Sequence, residues 1–144
     1  MNWYKISKKL DTVKLEGKLK QTKDGFVYLD IPDDIISGFL PMINNSNAKK
    51  PPYFNKEFNK VGTHISVMSK DETEGLDIKE IGQNISFEIK SLKNTNPEGW
   101  NEIKKVYFIT IKSKELEDLR QKYNLSKKID GHEFHITVAV EEKE

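Results

Sequence analysis

Two of the three histidines in this sequence sit in the same short pattern. His64-Ile65-Ser66 and His135-Ile136-Thr137 each place an imidazole two residues before a hydroxyl, with valine following at Val67 and Val138. Histidine is the side chain that can give or take a proton near neutral pH. A pair of them can work with one ring neutral, as a general base, and the other protonated, as a general acid. The hydroxyls of Ser66 and Thr137 suit the non-bridging oxygens of a phosphate, where they stabilise the charge that builds in a transition state. Cleavage of a phosphodiester needs these two proton transfers and this grip. The expectation is therefore a metal-independent phosphodiesterase with His64 and His135 catalytic, Ser66 and Thr137 phosphate-binding, and no cofactor. Which histidine is acid and which is base depends on how a substrate lies.

The elements that must position these residues are strands. Side chains alternate between the faces of a strand, so His64 and Ser66 share a face that Ile65 and Val67 do not, and His135 with Thr137 repeats the arrangement. The spacing predicts strands over Thr63–Met68 and Phe134–Val140, facing one another across a cleft. Period-two alternation in Val13–Leu19 and Gly25–Ile31, around Lys23-Asp24-Gly25, predicts a hairpin. Ile85–Leu92 and Val106–Ile111 read as further strands. Pro32-Asp33-Asp34 opens a short helical pattern through Ile43, and Ser113 can cap a helix over Lys114–Tyr123. The order strand, helix, loop, motif strand thus occurs twice. It predicts an α+β fold of two pseudo-symmetric lobes of antiparallel sheet with flanking helices around a central cleft, in a single domain over 1–144.

Other residues carry weaker signals. Tyr53 and Phe54, in a Pro-rich segment shortly before the first motif, are candidates for stacking a nucleobase, with pinning the loop to the body as the plain alternative. His132 lies three residues before His135, on the other strand face or in the turn, so a metal pair with His135 is not expected. Lys49-Lys50 and Lys104-Lys105 can add local positive charge, although such pairs are usually only solvated. Lys70-Asp71-Glu72 reads as a turn without a further role. Trp3 and Trp100 read as packing residues.

The bulk composition narrows the class. The 144 residues are 35% hydrophobic and 33% charged, with the apolar residues gathered in short runs, which suits one folded domain. Lysine and arginine (24) nearly cancel aspartate and glutamate (23), so no global field favours long DNA or an anionic membrane. No cysteine is present, which excludes disulfides and thiolate chemistry. No apolar run approaches the ~20 residues of a membrane span, and the first residues lack a signal-peptide core. A cytoplasmic monomer with a small nucleotide or RNA-end substrate is the expectation.

The paired triplets, each followed by valine, resemble the signature of the 2H phosphoesterase superfamily, which includes the 2′-5′ RNA ligase-like proteins and cyclic phosphodiesterases. The duplicated plan covers most of the chain from Val13 onward. Val61-Gly62-Thr63-His64 and Pro51-Pro52-Tyr53 are similar to the small stand-alone branch called Swiss Army Knife-like. The resemblance implies two lobes with the motifs at the centre of a cleft, and activity on cyclic phosphates or 2′-5′ and 3′-5′ linkages. It also implies His64 and His135 as the acid–base pair and Ser66 and Thr137 as phosphate binders. Two alternatives stand beside it: a nucleotide- or RNA-binding module without turnover, and a phage-type hydrolase of cyclic oligonucleotide defence signals.

Overall fold

The computed structural model describes residues 15–32, 61–96, 103–129 and 132–142. The helix expected after Pro32, the Lys49-Lys50 and Tyr53-Phe54 pairs, Trp3 and Trp100 lie outside those residues. Alternation makes β1 (Glu16–Gln21) and β2 (Val27–Asp30) an antiparallel hairpin, with Leu19 opposite Leu29, both fully buried. Its turn is closed by the Thr22 amide on the Phe26 carbonyl at 2.9 Å, and by the Phe26 amide on the Thr22 hydroxyl at 3.1 Å. Gly25 takes φ 106°, a conformation that costs glycine little and other residues much.

The motif strands are β3 (His64–Met68) and β7 (His135–Glu142). Between them in the chain run β4 (Asn84–Ser86), β5 (Glu88–Thr95), β6 (Ile103–Lys112) and helix α1 (Lys114–Lys122). Together the strands form one seven-stranded sheet in the order β4-β1-β2-β3-β7-β6-β5, with every pairing antiparallel.

The single strand expected over Ile85–Leu92 is in fact two. Phe87, buried, separates β4 from β5; the former pairs with β1 at one edge of the sheet and the latter with β6 at the other. Unbroken alternation cannot reveal such a change of partner. It also dictates the shape of the sheet. Seven flat strands about 4.8 Å apart would separate the outer two by roughly 29 Å, whereas the two Cα steps from Ser86 to Glu88 span at most about 7 Å. The sheet is therefore curled, so that the end of β4 comes close to the start of β5.

Helix α1 has the predicted N-cap: the Ser113 hydroxyl accepts from the Leu116 amide at 3.3 Å and donates to the Ser86 carbonyl at 2.8 Å. The helix packs against β3 and β4 and buries Leu116, Leu119 and Arg120. Arg120 is fully buried and spends its donors on several elements. It reaches the Val67 carbonyl at 2.7 Å, both carboxylate oxygens of Glu72 at 2.9 and 2.7 Å, and the Ser126 and Lys128 carbonyls at 2.6 and 3.3 Å. This one side chain thus joins the end of β3, the turn after it, and the loop that leads to β7. Glu72 itself locks that turn, exchanging hydrogen bonds with Ser69 at 3.0 and 3.2 Å. The Lys70-Asp71-Glu72 segment is thus a turn, as expected, but Glu72 has a structural role that its sequence context hides. No helix among the described residues is long and apolar enough to cross a membrane.

Candidate active site

Strands β3 and β7 meet at one pair among the described residues, Ile65 opposite Ile136, both fully buried. In an antiparallel pair, facing residues point to the same side. Stepping one residue either way sets His64 opposite Thr137 and Ser66 opposite His135, all on the face away from those isoleucines and all half-buried. Each imidazole faces the other motif's hydroxyl, with the two imidazoles on a diagonal. Direct neighbours in such a pair lie roughly 4.5–5.5 Å apart and diagonal ones about 7–8 Å, a scale that a single phosphate can bridge. The triplets therefore stand side by side on neighbouring strands rather than on opposite walls of a cleft.

The valine after each triplet has a structural reason. Pairing of β2 with β3 runs from Tyr28–Ser66 to Val27–Met68, which leaves Val67 as one extra residue. Pairing of β6 with β7 runs from Phe108–Thr137 to Tyr107–Ala139, which leaves Val138 as one extra residue. Both motif strands thus slip register at their fourth position, and the slip turns two successive residues inward: Val67 with Met68, and Val138 with Ala139, all fully buried. The hydroxyls just before the slip stay on the polar face.

Both imidazoles are oriented alike. The Nδ1 of His64 lies 2.8 Å from the Gly62 carbonyl, and that of His135 lies 3.2 Å from the Glu133 carbonyl. A carbonyl can only accept, so in each neutral ring Nδ1 carries the hydrogen and Nε2 is the unprotonated nitrogen. Gly62 presents its carbonyl from φ 68°, where a side chain would be strained. Aromatic rings meet the imidazoles from β2, from the residue before it and from β6. His64 meets the rings of Phe26 and Tyr28 nearly edge-on at 5.9 and 6.0 Å, and His135 meets Phe108 at 5.5 Å. Burial among these groups pushes the pKa of His64 below its ordinary 6.5; the Gly62 carbonyl opposes this, the nearby His135 adds to it, and Asp30 opposes it.

Pairing also places Asp30 opposite His64 and Thr110 opposite His135. Asp30 is bridged to Lys20 at 2.8 Å, and the Thr110 hydroxyl lies 2.6 Å from that of Ser91. Sequence reasoning missed these neighbours together with Phe26, Tyr28 and Phe108. Their signal was parity: Tyr28, Asp30, Phe108 and Thr110 occupy strand positions that alternation turns to the motif face, and Phe26 directly precedes β2 in the same parity, but only pairing shows which strands flank the motifs. His132 precedes β7 as an exposed turn residue, its amide bonded to the Ile129 carbonyl at 2.9 Å. Among the described residues no group of three His, Asp or Glu side chains is placed to hold a metal ion.

A family model described as the Swiss Army Knife, 2H phosphoesterase domain matches residues 27–144, a span that contains β2, both motif strands and everything between. The chain belongs to this 2H phosphoesterase family. Its general class of activity is thus that of a phosphodiesterase, a hydrolase of phosphodiester bonds, and the match takes in both histidine triplets with the strands that flank them. No match was found among the curated proteins or the solved structures.

Proposed function

We propose that this 2H phosphoesterase domain cleaves a cyclic phosphate or a 2′-5′ or 3′-5′ phosphodiester of a small nucleotide or RNA end, with His64 and His135 exchanging the protons. The observation that supports it most is the Ile65–Ile136 pairing, which sets both triplets side by side on one face, with Nδ1 of each imidazole committed to a backbone carbonyl. His64 serves as the base, because its burial favours the neutral ring. Its Nε2 takes the proton of the attacking hydroxyl or water as that oxygen bonds to phosphorus. The bond from phosphorus to the leaving oxygen breaks, and His135 Nε2–H supplies the proton to that oxygen. Ser66 and Thr137 donate to the non-bridging oxygens. No step calls on a metal.

The chain works as one domain in this reading, since the described residues share one sheet and one core. The meanders β1-β2-β3 and β5-β6-β7 are its two pseudo-symmetric lobes, each ending on a motif strand with the same register slip.

The test is turnover, with EDTA present, of 2′,3′-cyclic mononucleotides, 2′-5′ and 3′-5′ dinucleotides and cyclic dinucleotides. His64→Ala and His135→Ala are each expected to lower the rate by about 10²–10⁴-fold. Full turnover in both variants would end the assignment. Tight nucleotide binding with no product from the wild type would identify a binding module instead.

A further inference from the structure

Two clefts open from the motif face and meet at His135 and His132. The first, of about 540 Å³, includes Ser66, Phe26 and Lys70 in its lining. The second, of about 440 Å³, includes Thr137, Phe108 and Lys93. Each therefore combines one motif hydroxyl, one aromatic ring and one lysine, and His135 lines both. Each volume falls within the roughly 300–1,000 Å³ of ordinary small-ligand sites. A phosphate held between Ser66 and Thr137 would have room for a substituent on either side of it. An aromatic ring in each cleft offers a stacking surface that accepts any base, Phe26 on the face opposite the Tyr28 ring stacked on it at 5.5 Å.

We infer that the ligand of this site is an internal linkage of an oligonucleotide, with a base-bearing nucleoside in each cleft, Phe26 serving one base and Phe108 the other. The inference rests on the phosphodiesterase reading above and specifies its substrate class: two nucleosides flank the reacting phosphate, where a cyclic mononucleotide fills only one cleft. Aromatic rings against imidazoles can also serve merely to brace them, and the two roles differ in what they predict. A bracing ring affects every substrate alike. A stacking ring affects only substrates that carry a base on its side.

The experiment compares dinucleotides of adenine and 2-aminopurine with two analogues in which an abasic tetrahydrofuran unit replaces the 5′ or the 3′ nucleoside and 2-aminopurine is the base that remains. Binding is followed by 2-aminopurine quenching in His64→Asn protein, whose amide retains a donor for the Gly62 carbonyl but lacks Nε2; turnover is measured separately in the wild type. Loss of either base should weaken binding by about fivefold or more, given ~1–3 kcal/mol per stacked base and a tenfold change per ~1.4 kcal/mol. Phe26→Leu should abolish the dependence on one base and Phe108→Leu the dependence on the other. A cyclic dinucleotide is run beside the linear one, and two-sided dependence in either supports the inference. It is overturned if removing one of the bases changes binding less than twofold, or if either leucine variant weakens base-bearing and abasic ligands equally. Two-sided binding without wild-type turnover would remove the catalytic reading and leave the subsites. Turnover with one-sided binding would do the reverse.

Discussion

His64 is a half-buried imidazole with one nitrogen spent on the Gly62 carbonyl, and its surroundings favour the neutral form. Its ring protons should titrate below 6.5 in NMR spectra. With His64 as the base proposed above, the acid limb of kcat/KM, which reports the base in the free enzyme, should also lie below that value. A titration at or above 6.5 would contradict the burial argument. The same shift enters folding. A pKa lowered on folding means that the unfolded chain binds the proton more readily, so this contribution is complete above 6.5 and is lost as pH falls through the folded-state value. In the mechanism proposed above the hydroxyls bear on charge in the transition state, so Thr137→Val should lower kcat by on the order of 10²-fold while leaving Tm close to that of the wild type.

Each element is held by side chains whose loss should register locally. Ser113 caps α1 and also fastens it to the end of β4 through the Ser86 carbonyl. Ser113→Ala should therefore cost towards the upper end of the roughly 0.5–2 kcal/mol usual for an N-cap, as measured by urea unfolding. The Ile65–Ile136 pair joins the motif strands at their one meeting point among the described residues. Ile136→Ala should destabilise by about 2–5 kcal/mol and lower activity in the surviving folded fraction, because the cavity lies directly beneath both triplets. A variant as stable as the wild type would show that the strands are held elsewhere.

For the whole molecule, the pairing of buried Arg120 with half-buried Glu72 links what would otherwise be separate pieces: the end of one motif strand and the loop that leads to the other. Arg120→Ala should cost about 3–5 kcal/mol, since it leaves a carboxylate and three carbonyls without this donor. The Arg120 hydrogen bonds hold Glu72 below its ordinary 4.5, so its contribution is present above that value and lost as pH falls through the lower folded-state one. Glu72→Gln should flatten the acid limb of a stability–pH profile, and an unchanged limb would place the acid sensitivity elsewhere. Much of this architecture was legible in the chain. Alternation revealed the hairpin and the polar and core faces of both motif strands, because strand parity is a local property of the backbone, and Ser113 announced α1 for the same reason. The twin triplets announced imidazole and hydroxyl on a shared strand face, because residues two apart in a strand point the same way. Only the tertiary structure decided which strands are neighbours. It brought the triplets together in one sheet, broke Ile85–Leu92 between opposite edges, set Phe26, Tyr28 and Phe108 against the imidazoles, and gave Arg120 its carbonyls. Those outcomes depend on pairing between residues distant in the chain, which a local pattern does not encode.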